Sequence, residues 1–136
     1  MHINKDGLEK LETILKELYR KPFAEPFRQP VDYEYYQLVD YPQIIKKMMD
    51  LRTLIYDLDN GKYQTVEQVL DDIQLIWDNC KLYNDKNTRI HKAALKLEKL
   101  TEKLVFEQFG EIEYGKNNPS YFALIAKNRQ NNHANT

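Results

Sequence analysis

A chain of 136 residues has room for about one compact domain and a modest tail. With 42% hydrophobic and 30% charged residues it is composed like a folded globular protein, and a net charge of −1 with interspersed signs excludes a broad phosphate-binding face, so direct nucleic-acid binding is not expected. No apolar run approaches the roughly 20 residues that span a bilayer, the stretch MHINKDGLEK carries no signal-peptide core, and the single cysteine, Cys80, excludes an intrachain disulfide or a cysteine cluster for zinc.

These features lead to the expectation of a soluble, non-secreted protein of a reducing compartment, with no membrane partner. Leu8, Leu11, Ile14, Leu15 and Leu18 recur at steps of three and four and predict an amphipathic helix over 6–20, with Asp6 and Glu9 offering a capping box. From 21 to 50 the helical period vanishes. That stretch holds four of the five prolines together with Phe23, Phe27, Tyr33, Tyr35, Tyr36 and Tyr41. A disordered linker would be depleted in such aromatics, so a long ordered loop packed on the rest of the domain is predicted. Leu51, Leu54, Ile55 and Leu58 mark a short helix that Asn60-Gly61 stops.

Thr65 and Gln68 form a second capping box, followed by Val66, Val69, Leu70, Ile73, Ile76, Trp77 and Cys80 on one face of a helix reaching about Tyr83. The polar run Asn84, Asp85, Lys86, Asn87, Thr88 breaks it. The next helix, 88–109, carries Ile90, Ala93, Ala94, Leu97, Leu100 and Leu104 and closes near Gly110. Four amphipathic helices cannot bury their stripes singly, so a four-helix bundle over 1–110 is expected. The extension 111–136 contains six Asn and reads as largely solvated, with a short helix over 119–127 able to dock on the bundle after Asn118-Pro119.

Three runs carry a family likeness over roughly residues 6–109. PFRQPVD (26–32) is similar to the shelf opening the ZA loop of bromodomains. DYPQIIKKMMDL (40–51) is similar to the end of that loop and the start of helix A, and NGKYQTVEQVLDDIQLIWDNCKLYN (60–84) to the A–B turn and helix B through its terminal Tyr-Asn. In this order and spacing the chain resembles that family. The resemblance implies an all-α, left-handed four-helix bundle (helices Z, A, B, C) with a long ordered ZA loop and a short BC loop. It implies a non-enzymatic module that reads acetylated lysine in histone tails or other nuclear proteins, located in the nucleus, needing no cofactor and monomeric as an isolated domain. It places Asn84 as the donor to the acetyl carbonyl and Tyr41 as its partner through a bound water. Pro26, Phe27, Val31, Tyr36 and Leu38 fall on the loop wall, and Cys80, Tyr83 and Ile90 on the B and C side, with Ile90 as gatekeeper.

The chemistry fits such a ligand. Acetyl-lysine is a neutral amide on a four-carbon stem, so it needs an apolar channel, one donor for its carbonyl and space for a methyl group. Unmodified lysine would lose the hydration of a full charge there, and discrimination follows mainly from that cost. The chain departs from the family where Glu25 replaces the usual shelf Trp, Met48 the usual Pro before Met-Asp, and Pro42 a second tyrosine after Tyr41. Glu25, Asp32, Glu34 and Asp40 face only Arg28 within 25–41, a balance of −3 that suits a basic peptide.

Other readings stand beside these. Asn84 taken alone is a helix C-cap or turn residue, Tyr41 a loop residue packed on the core, Cys80 a small core residue, and His91 lacks a second ligand at i+4 for a metal. A scaffold of the same shape that has lost acetyl-lysine binding and acts by protein contacts is the alternative function. A small helical enzyme is disfavoured because no clustered acids, Cys-His pair or Gly-rich loop occurs.

Overall fold

A computed structural model describes residues 1–134; Asn135 and Thr136, the end of the Asn-rich extension, lie outside the described residues. The first helix, α1 (Lys5–Arg20), buries Leu11, Ile14, Leu15 and Leu18. Its cap is not the Asp6/Glu9 box. The extended backbone of Asn4 lets its side-chain oxygen accept from the Gly7 N–H at 2.8 Å, while Asp6 sits inside the first turn and pairs with Lys10 at 2.9 Å.

The proline-rich stretch is ordered and partly helical. Pro22–Phe27 forms a 3-10 helix, and α2 (Tyr41–Ile44) is a single turn. Phe27 and Tyr41 are buried together with Ala24 and Ile45, Phe23 and Tyr33 are half-buried, and Tyr35 and Tyr36 stay exposed. Arg28 donates to the carbonyls of Tyr19 and Lys21, both at 2.9 Å, so one guanidinium ties the loop to the end of α1. At the far end of the loop, Lys47 pairs with the buried carboxylate of Asp72 at 2.9 Å, which also accepts from Tyr63 at 2.6 Å.

Helix α3 (Leu51–Asp59) starts on the Asp50 cap and stops at Gly61, whose φ of 72° is the left-handed conformation glycine tolerates. Helix α4 (Val66–Tyr83) opens with the reciprocal Thr65/Gln68 box, and α5 (Arg89–Phe109) opens on Thr88 and ends at Gly110. Helices α1, α3, α4 and α5 form the bundle, and among the described residues no strand occurs. Helix α4 is central, packing on the other three. Its Trp77 is fully buried, edge-on to Phe27 at 5.3 Å, and donates from Nε1 to Thr101 Oγ1 at 3.0 Å. The hydroxyl of Thr101 in turn donates to the Leu97 carbonyl at 2.7 Å, so this polar chain through the core is closed.

The extension is less solvated than its sequence suggests. Ile112 and Tyr114 pack on the core, and Asn118, Ser120 and Leu124 are buried. The helix is longer than predicted: α6 runs Tyr121–Ala134 and lies against α4. Hydrogen bonds, not an apolar stripe, lead the chain there: the Gly115 N–H donates to the Asp71 carboxylate, and Asn118 Nδ2 donates to the Asp71 carbonyl at 2.9 Å. Gly115 has φ 84°, and a Cβ there would stand 2.7 Å from Cγ of Gln74.

Candidate ligand-binding site

A cavity of about 90 Å³ opens between the loop preceding α3 and the ends of α4 and α5. Pro26, Phe27, Val31, Leu38 and Tyr41 line it from the loop, and Cys80, Tyr83, Asn84 and Ile90 from α4 and the start of α5. Tyr36 is the one predicted wall residue that the structure does not bring to it. The turn around it is fixed by Asp32, which accepts from the Tyr35 N–H through its side chain and from the Tyr36 N–H through its carbonyl, and by Gln37 at φ 57°. Tyr36 is 65% exposed and packs edge-on against Tyr35 at 5.0 Å, while Leu38 fills the wall instead.

The cavity also takes in Gln29, Met49, Asp50, Ile76 and Asn79, which sequence reasoning missed. For two of them a signal existed: Ile76 and Asn79 stand one helical turn before Cys80 and Tyr83 on the same face of α4. The Asp50 carboxylate is engaged in capping α3, accepting from both the N–H and the hydroxyl of Thr53. Asn79 is almost wholly buried; its Nδ2 donates to the Lys47 carbonyl at 2.7 Å and its Oδ1 accepts from the Ser120 hydroxyl at 2.6 Å.

Asn84 is the C-cap of α4, with extended backbone. Its N–H donates to the Cys80 carbonyl at 2.9 Å, and its carbonyl accepts from His91 Nδ1 at 2.9 Å. The imidazole that could have been read as a metal ligand thus holds the Asn84 backbone. Nδ2 donates to the Cys80 carbonyl at 3.1 Å, which fixes which end of the amide is the donor, and lies 3.6 Å from Cys80 Sγ. Sulfur is a weak acceptor, so a ligand carbonyl that replaces it gains a stronger bond for the second N–H.

Tyr41 is buried, stacked on Tyr33 at 5.9 Å and edge-on to Tyr83 at 4.9 Å. Burial, helped by the neighbouring Cys80 and Tyr83, pushes its phenol up to about 12, so the hydroxyl remains a donor at physiological pH. Since the folded value lies above the ordinary one near 10, this group's contribution to stability is complete below pH 10 and is lost as pH rises through about 12. Tyr83 donates to Asp40 at 2.7 Å and so latches the loop to the end of α4.

Burial likewise pushes the Cys80 thiol up to about 12, and Sγ donates to the Ile90 carbonyl at 3.4 Å. The thiol is a neutral wall of the cavity. Its thiolate fraction near neutral pH is far below that of an unburied cysteine. Iodoacetamide should therefore label Cys80 far more slowly in the folded protein than in guanidinium, with mass spectrometry as the readout; equal rates would contradict the buried, neutral thiol.

Among the described residues no group of three or more His, Cys, Asp and Glu side chains is placed to hold a metal ion, and no helix is long and apolar enough to cross a membrane. A larger, shallower groove of about 480 Å³ between α1 and α3 is floored by Leu15, Ile55 and Leu58 and ringed by charges of both signs. In the smaller cavity, by contrast, apolar walls meet a fixed amide and a protonated phenol.

The sequence model of the Bromodomain family matches residues 11–96. Protein cbp-1 of Caenorhabditis elegans is 41% identical over 95 residues, which are 70% of this chain and 5% of that protein. The histone acetyltransferase GCN5 of Debaryomyces hansenii is 45% identical over 87 residues, 64% of this chain and 19% of that protein. The SWR1 complex bromodomain subunit bdf1 of Schizosaccharomyces pombe is 39% identical over 98 residues, 70% of this chain and 17% of that protein. The chain thus spans less than a fifth of the length of each of these relatives.

Proposed function

The chain belongs to the bromodomain family, and on that premise we propose that it is a nuclear binding module for acetylated lysine in histone tails or other nuclear proteins, acting as a monomer without chemistry of its own. The observation that carries this reading is the Asn84 amide, held at the end of α4 by Cys80 and His91 with an N–H directed at nothing better than a sulfur, at the wall of an apolar cavity. The acetyl carbonyl accepts from Asn84, Tyr41 reaches the same carbonyl through a bound water, and Val31, Leu38 and Ile90 flank the lysine stem. The names of two relatives, a histone acetyltransferase and a subunit of the SWR1 complex, support chromatin as the setting.

The test is an array of acetylated and unmodified histone-tail peptides, followed by titration of labelled protein with free Nε-acetyl-lysine. Acetylated peptides should bind and unmodified ones should not, with shifts centred on Asn84, Tyr41 and Ile90. No binding to any acetylated peptide, with shifts absent from these residues, would instead favour a scaffold acting through its exposed loop.

The acidic rim adds a second expectation. Tyr35 and Val39 are 77% and 83% exposed on a loop that also carries Glu34 and Asp40. Binding of a basic acetylated peptide should weaken several-fold between about 50 and 500 mM salt, while free acetyl-lysine, which lacks the flanking charges, should not respond. Equal salt slopes for the two ligands would remove the rim from recognition.

A further inference from the structure

The end of α4 that carries Asn84 is held partly from outside the region matched by the family model, which stops at residue 96. A helix leaves its last four carbonyls without partners inside the helix. In α4 these belong to Cys80, Lys81, Leu82 and Tyr83. The Cys80 carbonyl is taken by Asn84 itself. The next two are taken by α6: the Lys127 ammonium donates to the Lys81 carbonyl at 3.1 Å and to the Leu82 carbonyl at 2.9 Å. A cation here also lies at the negative end of the α4 dipole, where it is stabilising.

The same segment also holds a second lining residue of the cavity, one turn earlier on α4. Ser120 donates to Asn79 Oδ1, and Asn79 passes the link to the Lys47 carbonyl in the loop leading to α3. Asn79 lines the cavity, and Ser120 and Lys127 are separated by two turns of α6 and its approach. Leu124, between them, is buried, so the two anchors are delivered by one packed element.

We propose that Ser120 and Lys127 are positioning residues for the ligand cavity: the C-terminal segment braces the end of α4 and sets the aim of the Asn84 amide. The ligand part of this inference rests on the acetyl-lysine reading above. Neither residue touches the cavity, so each acts through backbone carbonyls or Asn79. The brace predicts that affinity and global stability separate. Removing the two part-buried hydrogen bonds of Lys127 leaves the apolar core intact, yet frees the last turn of α4 to fray.

The experiment uses the whole 136-residue chain with Lys127→Met, Lys127→Arg and Ser120→Ala. Free Nε-acetyl-lysine is the probe, followed by NMR titration, with melting temperature and amide hydrogen exchange of residues 81–85 measured without ligand. Lys127→Met should weaken binding by roughly three- to tenfold and speed exchange at the end of α4, with the melting temperature nearly unchanged. Lys127→Arg, which keeps the cation and its donors, should restore binding to within about twofold of wild type, and Ser120→Ala should fall between. The proposal is overturned if Lys127→Met and Ser120→Ala bind like wild type with unchanged exchange. It is equally overturned if every loss of affinity simply follows a lowered melting temperature and Lys127→Arg fails to rescue. If the wild type itself binds no acetyl-lysine, it is the functional reading that fails. The exchange rates of the ligand-free variants then decide the brace alone.

Discussion

Asn84→Ala should lower affinity for an acetylated peptide by roughly tenfold to a hundredfold while leaving the fold in place. The arithmetic follows from the asymmetry of hydrogen bonding. A carbonyl that loses its one direct protein donor inside an apolar cavity forfeits about 1–3 kcal/mol, and each 1.4 kcal/mol is tenfold in affinity. The stability cost is small. The side chain donates to the Cys80 carbonyl at 3.1 Å and weakly to Cys80 Sγ at 3.6 Å, at a half-buried site, and the backbone N–H of residue 84 bonds the same carbonyl in either variant. Calorimetric or NMR titration beside a thermal melt would measure both quantities. Asn84→Asp sharpens the test, since it keeps the shape but replaces the donor with an acceptor that repels the acetyl oxygen; it should bind no better than Asn84→Ala. Either variant binding within twofold of wild type would remove Asn84 from its assigned role.

The four bundle helices were legible because each carries an apolar stripe at helical spacing and a polar signal at its ends. The Thr65/Gln68 box and the Gly61 and Gly110 stops appear where the sequence places them. Of the ten residues that the resemblance assigned to a site, nine lie together around one cavity. What escaped has one physical theme. Tyr36 turns outward because backbone bonds to Asp32 and a left-handed Gln37 set the turn, and a non-glycine residue at positive φ leaves no sequence mark. Asn79 reads as a polar residue on an otherwise apolar face, and only the three-dimensional structure shows that Lys47 and Ser120 satisfy it. The extension looked solvated because its Asn, Ser and Gly residues are polar, yet those same groups dock it through Asp71 and Asn79. Periodicity detects burial of apolar surface; it is blind to burial of polar groups that find partners.

Trp77→Ala should be the most damaging single change to the fold. Its ring is fully buried at the crossing of α4 with α5 and the 3-10 helix, and removing such a ring costs about 3–5 kcal/mol when the surroundings cannot close over the space. For a domain of this size that corresponds to a fall in melting temperature of about 10–20 °C. Trp77→Phe keeps most of the ring but deprives Thr101 of its donor, so a loss of about 1–2 kcal/mol is expected. Thermal and urea melts of the two variants would separate packing from hydrogen bonding, and a Trp77→Ala midpoint within a few degrees of wild type would contradict the packing account. The consequence reaches the ligand site through Phe27, whose ring meets Trp77 edge-on and whose residue also lines the cavity beside Pro26. Trp77→Ala should therefore lose affinity and stability together, whereas Asn84→Ala loses affinity alone. The contrast separates the residue that holds the shelf in place from the residue that makes the contact, and it fails if the two variants show the same ratio of affinity lost to stability lost.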